Sequence, residues 1–436
     1  MNPLKALFWH RRDLRIEDNA GLFSALTNNV SVQPIFIFDS EILSKLKSDD
    51  QRVLFIHTEI TRLKADYQKL GADLFVFYGN PIEIIPDLCL KMDVQSLVTN
   101  KDYEPYAIAR DKFIYEELQK LNINFIAKKD HVIFEKNEVL KADGLPYTVF
   151  TPYMKKWREK LNEFYLKTYP TEKYFQNLSK IEKNSRMISM AEMGFTHLNF
   201  YSFPGNQLNE KVVKNYSETR DIPSILGTSR MSLALRFGTI SIRKTAKQAS
   251  ILNQTYLNEL IWRDFYQMIL YHFPHSAENS FRKNYDRIQW ENDEKLFSLW
   301  CEGKTGYPMV DAGMRELNRT GHMHNRVRMV VASFLCKHLL TDWRWGERYF
   351  AEKLLDFDLA SNIGGWQWAS GSGCDAAPYF RVFNPQLQQE RFDKDFIYIK
   401  KWVPEFGTTK YPEPIIEHKM ARLRAIERYK KGLMND

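Results

Sequence analysis

The first 130 residues alternate short apolar segments with amphipathic ones. Near-continuous apolar segments occur at "KALFWH", "VQPIFIF", "DLFVFYG", "QSLVTN" and "INFIAKK". Between them, segments such as "QRVLFIHTEITRLKADYQKLG" repeat apolar residues at the helical period. Apolar strands separated by helices are typical of a buried parallel sheet in an α/β architecture. The pattern therefore predicts an α/β domain with a parallel five-stranded sheet.

Two further changes in the pattern predict how the chain is organised. The turn after the first strand, "HRRDLRIEDN", has no GxGxxG motif, so the sheet is expected to be Rossmann-like without the dinucleotide fingerprint. A polar, lysine-rich stretch follows, and from residue 210 the apolar period is helical, as in "YLNELIWRDFYQMILYHF". We therefore expect an α/β domain over 1–130, an inter-domain connector over 131–209 and an all-α domain over 210–436.

Charge is distributed unevenly along the chain. The formal net charge is +8, whereas residues 1–130 carry −2 and the remainder carries +10. A basic excess confined to one part of a protein indicates a polyanionic partner, with nucleic acid as the first candidate. No apolar run reaches the roughly 18 residues that a membrane span needs, so no membrane association is expected.

The cysteines and histidines argue against a disulfide framework and against a metal site. The four cysteines are scattered and form no CxxC pair, which fits a reducing cytosol. The histidine pairs in "YHFPH" and "GHMHN" have no thiolate or carboxylate at ligand spacing. The sequence therefore predicts a cytoplasmic protein without a bound metal, expected to be a monomer.

The segment "GTSRMSLALRFG" surrounds the start of a predicted helix with hydroxyl groups. Thr228, Ser229 and Ser232, together with free backbone N–H groups, can bind an anion. Arg230 adds a positive charge to the same segment. An ordinary helix cap would use the same residues, so the segment is a candidate anion site with a structural alternative.

A second cluster combines a carboxylate, an indole and a guanidinium. In "NELIWRDFY", Glu259, Trp262 and Arg263 lie at i, i+3 and i+4, hence on one helical face. Such a face can receive a nucleobase by hydrogen bonding, stacking and phosphate neutralisation, although an ion pair beside a half-buried tryptophan would look the same. The motifs "MHNRVRM" and "LLDFDLASN" add the polar candidates Asn325, Arg326, Arg328, Met329, Asp356, Asp358 and Asn362.

Taken together, these motifs resemble the helical flavin domain of the photolyase/cryptochrome family. The opening "FWHRRDLRIEDNAGL" and the later "EGKTGYPMVDAGMREL" extend the resemblance to nearly the whole chain. The segment "GWQWASGSGCDAAPYFRVFNP" looks most like class I cyclobutane pyrimidine dimer (CPD) photolyases. The resemblance implies light-driven repair of CPDs in DNA, by electron transfer from excited reduced FAD (FADH⁻) to a flipped-out dimer. The alternative is a cryptochrome-type blue-light photoreceptor that uses the same flavin for signalling.

The resemblance also implies where FAD binds. Asn362 matches the position that contacts flavin N5, where an uncharged amide can accept a hydrogen bond from N5–H. The glycines and serines around it are expected to let the backbone approach the flavin ring, and Arg328 is expected to pair with Asp356. The cofactor-binding residues implied are Tyr216, Thr228, Ser229, Arg230, Met231, Ser232, Arg328, Asp356, Asp358 and Asn362.

The substrate pocket and an electron relay are implied in the same way. Trp262 is expected to stack on the extruded dimer and Glu259 to hydrogen-bond a thymine. Trp368 is expected to form a wall of the pocket. The catalytic residues implied are Glu259 and Asn362, with a relay from Trp366 near the flavin through Trp343 to Trp290. The residues implied for DNA binding are Glu259, Trp262, Arg263, Asn325, Arg326, Met329 and Trp368.

Members of the family bind folate, a deazaflavin, FMN or no antenna chromophore at the α/β domain. Glu104 in "NKDYEPYAIARD" matches an acidic position in folate-binding relatives, so methenyltetrahydrofolate is expected rather than a deazaflavin or FMN. The chain departs from the family pattern at His322, where relatives often have Trp, and at Ile363, where Asn is frequent. Both departures fall near the expected flavin pocket.

Overall fold

The computed structural model describes residues 4–180, 185–197 and 201–434. The chain forms two compact units, and neither is continuous in sequence. We call them the sheet unit and the helical unit. The sheet unit consists of Met1–Glu135, Lys160–Gln207 and Met231–Gln248, and the helical unit of Lys136–Glu159, Leu208–Arg230 and Ala249–Asp436.

Within the described residues, five parallel strands form the sheet. The strands are β1 (Lys5–His10), β2 (Ser31–Asp39), β3 (Phe75–Gly79), β4 (Ser96–Asn100) and β5 (Asn124–Lys128). Their spatial order is β3-β2-β1-β4-β5, and all neighbouring strands are parallel. The predicted five-stranded Rossmann-like sheet is therefore confirmed. The strand order reverses between β1 and β4, which is where sheets of this kind bind ligands.

Helices cover the two faces of the sheet. They are α1 (Ala20–Asn28), α2 (Ser40–Leu43), α3 (Gln51–Lys69), α4 (Pro81–Lys91) and α5 (Pro105–Lys120). Successive residues of a strand point to opposite faces. Phe8 of β1 accordingly joins a core cluster with Leu22 of α1 and Ile60 of α3, whereas Trp9 joins another with Ile85 of α4 and Ile114 of α5. Both faces of β1 are therefore buried, as its apolar sequence predicts.

The rest of the described chain is largely helical, as predicted. Short 3₁₀ helices span Thr171–Asn177, Ala191–Met193, Pro274–Ala277 and Lys283–Arg287, and a π-helical turn spans Phe334–His338. The remaining helices are α6 (Phe150–Lys160), α7 (Glu163–Leu166), α8 (Glu210–Lys214), α9 (Tyr216–Thr219), α10 (Ser232–Phe237), α11 (Ile242–Leu252), α12 (Gln254–His272), α13 (Glu294–Glu302), α14 (Pro308–Thr320), α15 (Asn325–Ser333), α16 (Trp343–Lys353), α17 (Leu359–Ser370), α18 (Pro385–Phe392), α19 (Ile397–Trp402) and α20 (His418–Leu433).

The units do not follow the predicted segments. The expected connector 131–209 is shared between the units, and residues 231–248 of the expected all-α domain belong to the sheet unit. Buried ion pairs explain the second difference, because Arg243 binds Asp18 at 2.9 Å and Asp130 at 2.8 Å. Such long-range charge pairs leave no periodic signal in the sequence.

Helix α17 carries the segment "NIGGWQW" and shows what its glycines do. Asp358 caps the helix by accepting a hydrogen bond from the Ser361 N–H at 3.1 Å. Gly364 lies against the Tyr266 ring of α12, since a Cβ at this position would come within 2.3 Å of the ring. For Gly365, no heavy atom of the described chain outside the helix lies within 4 Å of the Cβ position. Gly364 therefore serves helix packing, and the expectation that the glycines and serines of this segment let the backbone approach a flavin stays a prediction.

Candidate functional site

Asn362 lies on α17 with its amide oriented by Glu347 of α16. The Asn362 side-chain nitrogen donates to the Glu347 carbonyl oxygen at 3.1 Å and to its Oε1 at 2.8 Å. Burial raises the pKa of Glu347, and the hydrogen bond from Asn362 opposes that rise. Because the amide nitrogen is engaged, the amide oxygen is the atom that can accept from another group. An accepting oxygen at this position fits the N5–H of a reduced flavin. Sequence reasoning missed Glu347, because its hydrogen bond with Asn362 joins two different helices.

The two predicted carboxylates near Asn362 have different partners. Asp356 forms an ion pair with Arg328 at 3.0 Å, and Arg328 also donates from Nε to the Met323 carbonyl oxygen at 2.8 Å. Asp358 is buried and, besides capping α17, accepts from the Gln267 amide at 3.1 Å. The expected pair of Arg328 with Asp356 is present, and Asp358 also has a structural role.

The anion segment is only partly built as expected. Tyr216 begins α9 and packs edge-on against Tyr256, with 5.1 Å between the ring centroids. The Ser229 hydroxyl is hydrogen-bonded to the Tyr256 hydroxyl at 2.9 Å. Thr228 is half-buried, and Arg230 is exposed with φ of 54°, a left-handed conformation that is uncommon for a non-glycine residue. The Ser229 hydroxyl is thus held by an aromatic hydroxyl of α12.

Met231 and Ser232, the last two residues of that segment, belong to the sheet unit. Met231 is buried and Ser232 is exposed. Helix α10 begins at Ser232 as predicted, and its N-cap residue, Met231, makes no side-chain capping hydrogen bond. The anion site that the sequence predicts here stays a prediction.

Glu259 on α12 ends a chain of charged side chains. Its carboxylate binds Arg220 at 2.5 Å, and both groups are half-buried. Arg220 lies 3.9 Å from Asp221, which in turn binds Arg326 at 2.6 Å. Burial raises the pKa of Glu259, and Arg220 opposes that rise. The structure thus links Glu259 to Arg326 through Arg220 and Asp221, which sequence reasoning missed.

Trp262 has one of its faces covered by another ring. The Phe150 ring of α6 stacks on the indole with 3.6 Å between centroids and 5° between planes. Tyr266, one turn further along α12, lies at 5.3 Å and 33°. The indole can therefore offer one face, not two, to a base. Arg263, the next residue on α12, is half-buried.

The start of α15 presents three further predicted residues. Asn325 is exposed, and Met329, one turn later, is half-buried. Arg326 donates to the Met329 sulfur at 3.7 Å, and its guanidinium lies 4.4 Å from the centre of the Phe392 ring. His324 caps the helix by accepting from the Arg326 N–H at 3.2 Å, and burial lowers the pKa of His324 to about 4. The imidazole is therefore neutral at pH 7, as this cap requires.

The two departures from the family pattern have ordinary packing roles. His322 lies 3.6 Å from Glu316, a buried carboxylate that also accepts a hydrogen bond from Tyr398 at 2.6 Å. Ile363 is buried on α17. His322 thus adds a titratable group where a tryptophan would add an apolar ring.

Trp366 and Trp343 belong to adjacent helices. Trp366 is buried against Gly346 of α16, where a Cβ would come within 2.1 Å of the indole. Trp343 is the first residue of α16, three positions before Gly346, and is also buried. The Trp300 ring lies 6.1 Å from Trp366, centroid to centroid, although the predicted relay does not include it.

Trp290 lies beside the start of α16. The Asn292 side chain accepts a hydrogen bond from the Asp342 N–H at 2.8 Å, and Asp342 caps the helix that begins at Trp343. Trp290 is half-buried and packs edge-on against Tyr429 at 5.7 Å. The three relay tryptophans are therefore carried by elements that contact one another in series.

A mostly apolar cavity opens between α12 and α17. In the described chain its lining includes Trp368 but neither Glu259 nor Trp262. Trp368 is half-buried and lies 6.3 Å from the Phe383 ring. The cavity nevertheless adjoins the face of α12 that carries Glu259 and Trp262, because Tyr266, which lines it, lies one turn from Trp262. Other lining residues are Tyr266, Ile363, Gly364, Cys374 and Asp375.

The sheet unit has a smaller, charged crevice where β1 and β4 end. The Glu104 carboxylate, predicted to bind an antenna chromophore, pairs with Arg12 at 3.0 Å and Arg236 at 3.1 Å. Its negative charge is therefore already neutralised by two guanidinium groups. The crevice is lined by Arg11, Arg12, Asn100, Lys101, Asp102, Asp130 and His131.

Two kinds of site are missing from the part of the chain that the structure describes. In residues 4–180, 185–197 and 201–434, no three His, Cys, Asp or Glu side chains cluster as metal ligands would. In the same ranges, no helix combines the length and apolar character needed to cross a bilayer.

Comparison with known proteins explains these arrangements. Residues 6–173 match the family model described as DNA photolyase, and residues 256–410 match the FAD binding domain of DNA photolyase. A deoxyribodipyrimidine photo-lyase from Synechococcus is 35% identical over 95% of this chain and 94% of its own length.

Solved structures agree with this comparison. A class III photolyase from Agrobacterium tumefaciens has a TM-score of 0.88 at 31% identity, covering 99% of this chain and 98% of that one. An archaeal photolyase from Sulfolobus tokodaii, solved with two FAD molecules, has a TM-score of 0.85 at 32% identity, covering 98% and 100%. Since the likeness spans nearly the whole length of both chains, this protein belongs to the photolyase/cryptochrome family.

Proposed function

We propose that the protein repairs cyclobutane pyrimidine dimers in DNA under blue or near-ultraviolet light. The observation that carries the proposal is the face of α12, where a half-buried Glu259 held by Arg220 stands one turn from a Trp262 backed by Phe150. Such a face offers a base a hydrogen-bonding carboxyl group and one rigid stacking surface. Relatives named deoxyribodipyrimidine photo-lyase support the same reaction.

FAD is the cofactor that we propose for the helical unit. The match to an FAD binding domain and the oriented Asn362 amide both support it. Tyr216, Ser229 and the Arg328–Asp356 pair are proposed to hold its polar groups. When bound, reduced FAD supplies an electron upon excitation, and the electron returns after the cyclobutane ring has opened, so there is no net redox change. The protein contributes placement and electrostatics.

DNA binding is proposed to use extrusion of the dimer. A crosslinked dimer stacks and pairs poorly, so its extrusion costs less than that of normal bases. Trp262 would stack on it and Glu259 would hydrogen-bond a thymine, with Asn325, Met329 and Trp368 as further contacts. The Glu259 carboxylate, held by Arg220, can accept a hydrogen bond from a thymine N–H. Arg263 and Arg326 are proposed to neutralise phosphates, which makes binding salt-dependent.

An electron relay from Trp366 through Trp343 to Trp290 is proposed to reduce oxidised FAD. The contact of Trp366 with Gly346 supports its first step, because Trp343 begins the same helix. The hydrogen bond between Asn292 and Asp342 supports the second step, since it holds the Trp290 segment at that helix start.

The antenna chromophore is a separate proposal. Methenyltetrahydrofolate is proposed over a deazaflavin or FMN, on the strength of Glu104 alone. Arg12 and Arg236 both bind Glu104 through Oε1, so a bound folate would meet a carboxylate flanked by two guanidinium groups. The absorption spectrum of purified protein tests this, since a folate adds a near-ultraviolet band to that of FAD. A spectrum of FAD alone would contradict the folate proposal.

The activity is tested by illuminating the reduced protein with four DNA substrates. These are a duplex with one CPD, a single strand with one CPD, a duplex with one (6-4) photoproduct, and undamaged duplex. We expect light-dependent recovery of thymines from CPD substrates and none from the (6-4) duplex. Flavin-containing protein that restores neither lesion would contradict repair and favour the photoreceptor alternative. The class I resemblance stays a prediction, since one matching structure is a class III photolyase.

A further inference from the structure

The stacking of Phe150 on Trp262 is the closest ring contact of α12. Phe150 is buried, and the 5° angle between the rings makes this a face-to-face contact. Face-to-face rings 3.6 Å apart leave no room for the indole to rotate toward Phe150. The Phe150 ring therefore fixes both the plane of the Trp262 indole and the face that it can offer.

The backbone of Phe150 is in turn held by a distant loop. Phe150 is the first residue of α6, and its N–H donates to the Asp375 carboxylate at 3.0 Å. A carboxylate at a helix N-terminus is favourable, because it satisfies a free N–H and meets the positive end of the helix dipole. Asp375 also lines the cavity that contains Trp368. The Asp375 carboxylate thus lies at the cavity that Trp368 lines and also binds the N–H of Phe150, whose ring stacks on Trp262.

The remainder of α6 is fastened to α12 independently of Phe150. The Trp157 indole donates to Asp264 at 3.0 Å, and Arg158 donates to Asn258 at 2.8 Å. Tyr153, one turn after Phe150, is buried and packs on Phe265 at 5.2 Å. Removing the Phe150 ring should therefore leave α6 in place and release the indole alone.

We infer that Phe150, anchored through its N–H by Asp375, is a positioning residue that holds the Trp262 indole ready to stack on the extruded pyrimidine dimer. This inference rests on the proposed function. A loosened indole must be ordered when the dimer binds, and ordering one side chain weakens binding about three- to tenfold. The chemistry after binding involves neither Phe150 nor Asp375, so repair of a bound dimer is unchanged.

The test measures dark dissociation constants for a CPD duplex and an undamaged duplex, together with repair per bound dimer at saturating protein. Phe150→Leu is expected to weaken CPD binding about three- to tenfold. Undamaged-duplex binding, the flavin spectrum and repair per bound dimer should stay as in the wild type. Phe150→Tyr, which keeps the ring, should bind the CPD duplex as tightly as the wild type does. Asp375→Ala should weaken binding in the same direction, and Asp375→Asn, which keeps an acceptor, should not.

Tyr153→Leu is the matched control, since it removes a buried ring from the same helix without touching Trp262. Equal weakening by Tyr153→Leu and Phe150→Leu would overturn the inference in favour of a general packing role. In a Trp262→Ala background, Phe150→Leu should have no further effect on CPD binding, and an additive effect would also overturn it. If the wild type does not prefer CPD duplex over undamaged duplex, the proposed function fails. If the wild type prefers CPD duplex and Phe150→Leu binds that duplex as tightly as the wild type, only the positioning role of Phe150 fails.

Discussion

Two adjacent glycines on α17 should respond in opposite ways to the same substitution. Both Gly364 and Gly365 are in the helix interior, where alanine is favoured over glycine by about 0.8–1 kcal/mol. Gly365 is exposed, with no heavy atom from outside α17 within 4 Å of its Cβ position in the described chain. At Gly364, the added Cβ would lie 2.3 Å from two carbons of the Tyr266 ring. The pair therefore separates helix propensity from packing.

The size of the difference follows from these contacts. Carbon atoms pack at about 3.5–4.0 Å, so the Tyr266 ring or the helix must move by roughly 1.2 Å or more. Overpacking of this kind costs about 1–3 kcal/mol. Gly365→Ala is thus expected to stabilise the protein by up to about 1 kcal/mol. Gly364→Ala has the same propensity gain, so the difference of about 1–3 kcal/mol between the two variants measures the clash alone.

Urea titrations followed by near-ultraviolet circular dichroism, with thermal melts as a second measure, provide the assay. The order of unfolding midpoints should be Gly365→Ala, then wild type, then Gly364→Ala. Equal midpoints for the two variants would refute the close packing of α17 on Tyr266. A destabilising Gly365→Ala would show instead that this position packs against something.

Three further predictions test other parts of the protein. Trp366→Phe should block photoreduction of oxidised FAD while chemically reduced protein still repairs dimers; Trp300→Phe, which alters a neighbouring ring outside the proposed relay, should photoreduce normally. Trp262→Ala should weaken CPD binding by about 1–3 kcal/mol in a dark binding titration, and unchanged affinity would mean that the dimer binds elsewhere. Burial lowers the pKa of Lys337 from 10.5 to about 8. Between these two pH values the unfolded chain therefore binds more protons than the folded protein, so the free energy of unfolding of the wild type should increase as the pH rises from 8 to 10.5. Lys337→Met should lack this gain in urea titrations at pH 7 and pH 9.5; an equal gain in wild type and variant would contradict the assignment.

The sheet and the helical half could be predicted because their signals are local. The β1 segment is apolar on both faces, and α12 shows its helical period over 19 residues. The residue sets of the site came from a resemblance and not from periodicity. The contacts that hold Asn362, Glu259 and Trp262 in place could be seen only in the structure.

The residues that sequence reasoning missed share one physical property. Glu347, Arg220 and Phe150 act on a predicted residue from another element, at sequence separations of 15, 39 and 112 positions. Such pairs are formed by packing of helices, which no spacing within one segment encodes. The division into units was missed for the same reason, since it depends on long-range ion pairs such as that of Arg243 with Asp130.

In the proposed reaction, light drives opening of the cyclobutane ring, the electron returns to the flavin and no reductant is consumed. The decisive measurement counts CPDs repaired per bound FAD, with reduced protein, excess CPD duplex and blue light in the absence of oxygen and external reductant. We expect many dimers repaired per flavin, in proportion to the light absorbed, and none in the dark. Repair that stops at one dimer per flavin, or no repair by fully reduced protein, would contradict the proposed reaction.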